Sequence, residues 1–309
     1  MVIGGGTGTF TVLTGLKSYP VELSAIVAMA DDGGSTGILR DEYGALPPGD
    51  VRRALVALSE SSQVLRDLFN YRFREGGLRG HSFGNIFITG LEKVTGNFAS
   101  AVREASHILN INGEVVPVTL DNVRLFARLQ DGRVLRGENA IDIPREEARA
   151  AVAEVWLEPT ARINPSVKRV LHSADLVVLG PGDLYTSIVP NLLVKGVAES
   201  IRNSKAKKAY VVNIMTKFGE TQGYNAEDFV ATIERYLGKN SLDYVLLNDR
   251  APSAAVLARY RREKKEFVPP VLKPRKNRKP ACIRADLLDG GKLVRHSPQK
   301  LARALMDLL

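Results

Sequence analysis

The chain has 309 residues, 44% of them apolar, enough to bury one large core or two moderate ones. Its single cysteine, Cys282, excludes an internal disulfide framework. No charged-then-apolar leader and no long uninterrupted apolar span is present, so a soluble, cytoplasmic chain without membrane insertion is expected. The formal net charge of +9 raises a nucleic-acid partner, but the basic residues are mostly interleaved with acids along helical stretches, as solvated faces are, and no nucleic acid is expected.

The chain opens MVIGGGTGTF, a short apolar lead running into glycines, with Phe10–Leu16 continuing at helical spacing. Strand, glycine-rich turn, helix is the order needed to hold an anion: glycines permit φ > 0 and close approach, and the first helical amides point at the charge. Gly5, Gly6, Thr7 and Gly8 are therefore candidate ligand contacts; the alternative is a tight turn that only lets the helix pack on its strand. The spacing is neither a dinucleotide fingerprint nor a P-loop.

A second apolar run, Leu23–Ala30, ends in Asp31-Asp32-Gly33-Gly34-Ser35-Thr36-Gly37. Asp31 lies where a ribose-gripping acid would stand in a Rossmann unit, and Asp31 with Asp32 could hold Mg²⁺ against phosphates; an Asp-rich turn capping its own backbone is the plainer alternative. Pro47-Pro48-Gly49 then precedes Val51–Ser59 at helical spacing, with Asp50 expected as its N-cap. GHSFGN begins another helix, Phe83–Val94, offering Asn85 to the site and His81 as a general base or a structural hydrogen-bonder. Phe98–Leu109 is a further helix, capped by Asn97.

From Glu114 to Ile143 the pattern alternates in short strands around an Asp131-Gly132 turn, which predicts a small antiparallel insertion over residues 114–143. Leu176–Leu179, Ala209–Ile214 and Leu242–Leu247 resume the unalternated apolar runs of strands covered on both faces. The first leads into Gly180, Gly182, Tyr185, Thr186 and Ser187, the second into Asn213 and Thr216. The expected fold is therefore α/β: a Rossmann-like, doubly wound, mainly parallel sheet in one domain spanning 1–309, carrying the insertion. In such a sheet these loops converge at the strands' C-terminal ends. The cluster KPRKNRKP at Lys273–Pro280 is read as a surface loop, with a phosphate or RNA patch as the alternative. A helix over Pro252–Lys264 contains Tyr260, and a last helix starts at Ser297 with Pro298 in its first position, placing Arg295 and His296 just before a helix N-terminus.

GGGTG, ADDGGSTGILRDE, PPGDVRRALVALS, GHSFGNIFITG, GPGDLYTSIVPNLLVKGV and NIMTKFGETQGY occur in the order seen in the bacterial YvcK-like proteins, or gluconeogenesis factors, and the chain resembles that family from Val2 to the last helix. The family is related to CofD, the 2-phospho-L-lactate transferase of deazaflavin coenzyme biosynthesis. The resemblance implies a CofD-like fold that binds a UDP-sugar, notably UDP-N-acetylglucosamine, and supports cell shape and wall synthesis during gluconeogenic growth. It implies no settled reaction; the transferase branch uses Mg²⁺ and a nucleotide diphosphate donor. It also implies Tyr260 against the base or sugar and Arg295 against the diphosphate, with a regulatory protein partner and a homo-oligomer both compatible. Relatives usually carry several more residues before the first strand, so the resemblance implies an unusually short first strand here and either a truncated or a misassigned start. Ile38 replaces a basic residue and Lys217-Phe218 a Gln-bearing pair, departures that bear on ligand specificity.

Overall fold

The structure, a computed structural model, describes residues 1–144, 150–273 and 279–309. The short strand β1 (Val2–Gly4) turns into α1 (Gly6–Leu16), and β2 (Ser24–Val27) leads through α2 (Gly34–Tyr43), α3 (Gly49–Leu58), α4 (Gln63–Asn70), α5 (Phe83–Thr95) and α6 (Phe98–Ile108) to β3 (Glu114–Pro117). An excursion follows, made of β4 (Arg124–Leu129), β5 (Val134–Arg136), α7 (Glu138–Asp142) and β6 (Val152–Glu158). The chain resumes with α8 (Pro165–Ser173), β7 (Leu176–Leu179), a π-helical turn (Leu184–Ile188), α9 (Val189–Leu193), α10 (Val197–Asn203) and β8 (Lys207–Val211). It closes with α11 (Ala226–Leu237), β9 (Tyr244–Asn248), α12 (Ala254–Arg262), β10 (Ala281–Ala285) and α13 (Pro298–Met306).

The unalternated apolar runs become interior strands because helices cover both of their faces; every residue of β7 is buried. Seven strands pair in the order β10-β9-β8-β7-β1-β2-β3, each parallel to its neighbours. Strand β1 is shared by the two halves: Val2 lies opposite Ala25 on one side and Val178 on the other. The sheet order reverses there, which opens a crevice at the C-terminal ends of β1 and β7.

The predicted caps of the later helices hold. Asn97 and Ser297 each accept a first-turn amide with the side chain, and Ser253, outside those expectations, does the same for α12. Two expectations need correction. The insertion does not span 114–143: Glu114–Pro117 is an edge strand of the main sheet, in register with Ser24–Val27, and the small antiparallel sheet is β5-β4-β6, completed by Val152–Glu158. Asp50 is not an N-cap, since α3 begins one residue earlier, at Gly49, with Pro48 in the cap position. Within the basic cluster at 273–280, residues 274–278 lie outside the described residues; Lys279 pairs with Asp243 at 2.8 Å. Among the described residues no helix is long and apolar enough to cross a membrane.

Helix α1 is clamped between the sheet and α13. A Cβ at Gly15 would run into the Pro298 carbonyl oxygen, a backbone atom of the opposing helix that cannot move aside alone. Gly15→Ala is therefore expected to destabilise the protein by about 2–3 kcal/mol in denaturant unfolding. Unchanged stability would mean that α1 and α13 separate freely.

Candidate functional site

A cleft of about 620 Å³ lies over the crevice between β1 and β7. Its walls come from the loop and helix starts that follow β1, β2, β7 and β8, together with α3, α7, Tyr260 and the Val294–His296 segment. The glycine turn forms the floor. Gly6 adopts φ +64°, and a Cβ at Gly8 would run into the Pro181 carbonyl, so the first turn and the Gly180–Gly182 turn can touch only without side chains.

The start of α1 already carries an anion of the protein's own. Asp50 accepts the Gly6 N–H at 2.8 Å, where an incoming ligand charge was expected. Asp31 does the same for α2, accepting Gly33 N–H at 3.0 Å and the Thr36 hydroxyl at 2.8 Å. Burial pushes the Asp50 carboxyl up to about 6, and Asp31 adds to the rise while Arg53 and the Gly6 amide oppose it. Glu138, at the start of α7, is pushed up to about 9 by burial and by Asp31, Asp142, Asp50 and Asp32. A divalent cation nearby would relieve the raised Asp50 and Glu138 carboxyls. Asp31, Asp50 and Glu138 all line the cleft, but among the described residues only Asp142, Asp183 and Glu220 bring three acidic oxygens within 4.8 Å of one another.

Asp31 and Asp32 do not act as a pair. Asp32 turns away from the cleft, accepting Asn139 N–H at 2.9 Å and facing Arg124 at 3.6 Å. It ties α7 to the β2 loop instead. Asn85 lines the cleft but is buried, accepting the Arg52 Nε–H at 2.9 Å and donating to Thr36. Thr186 and Ser187 line the cleft as expected. Tyr185 does not: its ring is fully buried and its hydroxyl meets that of Tyr224 at 2.8 Å. Gly180 lies behind the wall, packed on Ile188. Asn213 lines the cleft with a buried Oδ1 that has no hydrogen-bond partner among the described residues. Thr216 reaches it too, with its hydroxyl accepting Glu266 N–H at 2.8 Å. Tyr260 borders the cleft but is only 8% exposed. Arg295 projects into it with no hydrogen bond or ion pair on its guanidinium among the described residues. His81 stays outside, bonded through Nδ1 to Ser35 at 3.1 Å.

Lys217 holds the far wall. Its ammonium contacts Asp142, lies 2.8 Å from Asp183 and 3.0 Å from Glu220. The oxygens of these three acids lie within 4.8 Å of one another, spacing that would suit a metal, and the ammonium supplies the positive charge there. Burial works to lower the Lys217 pKa, but Glu220, Asp183 and Asp142 outweigh it and hold it above the ordinary lysine value. Through this knot α7, from the insertion, is tied to the β7 and β8 loops. Glu138, Asp142 and the role of Lys217 had no signal in the local sequence, because each acquires its neighbours from strands far away in the chain.

The comparisons with known proteins agree with this architecture. The sequence profile of the 2-phospho-L-lactate transferase CofD family matches residues 1–288. The chain is 44% identical over 307 residues to the putative gluconeogenesis factor of Thermotoga maritima, covering 98% of this chain and 96% of that protein. It is 39% identical over 312 residues to the gluconeogenesis factor of Bacillus subtilis, covering 100% and 97%. A crystal structure of a UPF0052 family member from Bacillus halodurans superposes with a TM-score of 0.92 at 40% identity, over 99% of this chain and 97% of that one.

Two outcomes test the site. Lys217→Met leaves Glu220 buried without its countercharge and is expected to cost about 3 kcal/mol in chemical unfolding. A change below about 1 kcal/mol would show that the knot contributes little. Glu138 stabilises the fold when protonated, because its folded pKa lies above its ordinary value of 4.5; that contribution is complete below pH 4.5 and is lost as pH climbs to about 9. Glu138→Gln stays neutral, so in EDTA its Tm should gain on that of the unsubstituted protein between about pH 5 and about pH 8.5. A constant difference would contradict the shift.

Proposed function

Because the chain belongs to the CofD-like family of gluconeogenesis factors, we propose that it is a cytoplasmic UDP-sugar-binding regulator, with UDP-N-acetylglucosamine as its ligand. The observation that carries this reading is the unpartnered Arg295 guanidinium over a cleft walled by several helix starts. A guanidinium fork with no anion to hold among the described residues suits phosphate oxygens. The cleft volume of about 620 Å³ suits an elongated ligand of nucleotide-sugar size. In this reading Arg295 meets the diphosphate and Tyr260 borders the base or sugar. The Asn213 Oδ1 offers an acceptor to a donor on the ligand, and Thr7 and Ser187 also line the cleft. Occupancy reports cell-wall precursor supply to a protein partner, which connects the protein to cell shape during gluconeogenic growth.

One observation favours a second reading, a Mg²⁺-dependent transferase using a nucleotide diphosphate donor. The acids Asp31, Asp50 and Glu138 share the cleft, and a cation held by one or two of them beside a diphosphate would supply compensating charge. Bound there, Mg²⁺ would supply charge stabilisation for the departing phosphate.

Calorimetric titration with UDP-N-acetylglucosamine, with and without Mg²⁺, followed by analysis of the same mixture for UDP or UMP, separates the two. The regulator binds and returns the ligand intact. The transferase releases nucleotide only with metal; Asp31→Asn should then abolish release, and Asp32→Asn, whose carboxylate faces Asn139 and Arg124, should leave most of it. No heat of binding in either condition would remove the UDP-sugar reading.

A further inference from the structure

Arg295 is carried on a hairpin whose base is packed, with Leu287, His296 and Ser297 buried, and whose tip is not. Residues 289–293 at its tip are exposed, and its two arms are joined by backbone bonds from Asp289 N–H to Arg295 C=O and from Ser297 N–H to Leu287 C=O, both 2.8 Å. The residue before the arginine is fixed from outside the hairpin. The Tyr260 hydroxyl oxygen accepts the Val294 N–H at 2.9 Å, and the Arg259 guanidinium on the same helix donates to the Lys292 carbonyl. Tyr260 is also the one buried side chain of α12. The Tyr260 hydroxyl thus links α12 to the residue next to Arg295, on an arm that buried His296 and Ser297 anchor from the other side.

The same ring is poorly placed to stack on a base. It is 8% exposed, with the Arg259 guanidinium 5.2 Å and the Lys265 ammonium 5.8 Å from its centroid. What Tyr260 offers the cleft is its hydroxyl, spent on the backbone next to the arginine. We propose that Tyr260 is a positioning residue whose hydroxyl holds the Val294–Arg295 backbone so that the Arg295 guanidinium reaches the ligand's phosphate, and that this, rather than ring stacking, is its contribution to binding. The identity of the ligand rests on the nucleotide-sugar reading above.

The hydroxyl can be removed while the ring is kept. Tyr260→Phe should weaken UDP-N-acetylglucosamine binding about tenfold, the size of one well-formed hydrogen bond. Arg295→Ala should weaken it about thirtyfold, as expected for a lost charge-assisted contact. The double variant should bind no more weakly than Arg295→Ala alone, because the hydroxyl acts only through the arginine. Full affinity in Tyr260→Phe would return the role to the ring, and additive losses in the double variant would make the two residues independent; either result overturns the proposal. Amide exchange gives a readout without ligand: in Tyr260→Phe residues 287–297 should exchange faster at unchanged global stability, and unchanged exchange there overturns the clamp. If the unsubstituted protein binds no UDP-sugar, the functional reading fails, and the exchange result alone decides whether Tyr260 seats the arginine.

Discussion

The seating of three residues, Val2–Gly4, between Ser24–Val27 and Leu176–Leu179 is the constraint on which the rest of the molecule depends. A strand of that length makes few hydrogen bonds, so its place is held by burial: Val2 and Ile3 are inaccessible to solvent. Because the chain winds outward from it in both directions, the turns that leave its end and the end of β7 must share one crevice. The glycine turn and the Gly180–Gly182 turn meet there closely enough that one of them must lack a Cβ at the contact. The cleft is thus a consequence of topology before it is a consequence of any polar residue.

That crevice collects helix N-termini, and the protein neutralises two of them itself. Asp50 sits on α1 and Asp31 on α2, each accepting main-chain N–H groups. The partial positive charges are therefore balanced before a ligand arrives, and what remains on offer is different in kind: the exposed Arg295 guanidinium, and the acids Asp50 and Glu138, whose carboxyls burial pushes up. A ligand that brings phosphate to the first and a cation to the second satisfies both. Lys217, by contrast, is committed entirely to the protein, and its three acids hold the insertion's α7 against the main sheet.

Much of the scaffold was legible in the chain. Runs such as Leu176–Leu179 lack polar alternation because both faces are buried, and they identified the central strands. Caps such as Asn97 and Ser297 worked because a side-chain oxygen satisfies amides only two or three residues away. The errors lie where partners are distant. Glu114–Pro117 continues into alternating strands in the sequence, yet its hydrogen bonds go to β2, some ninety residues earlier. Asp50 reads as a cap from its neighbours, but the amide it accepts is that of Gly6. Tyr185 follows a glycine turn like a ligand contact, and the irregular helix that starts there rotates its ring into the core, onto Tyr224.

The sequence by itself determined the class of the fold, the order of the loops that line the cleft and the family to which the chain belongs, since periodicity, caps and glycine turns are local properties written within a few residues. Only the tertiary structure decided which acids share a cleft, that Asp32 leaves it while Glu138 enters it, and that Tyr260 spends its hydroxyl on the backbone beside Arg295. Those outcomes depend on which side of a loop faces a segment tens or hundreds of residues away. That is set by the packing of the whole sheet and its helices, and no local pattern encodes it.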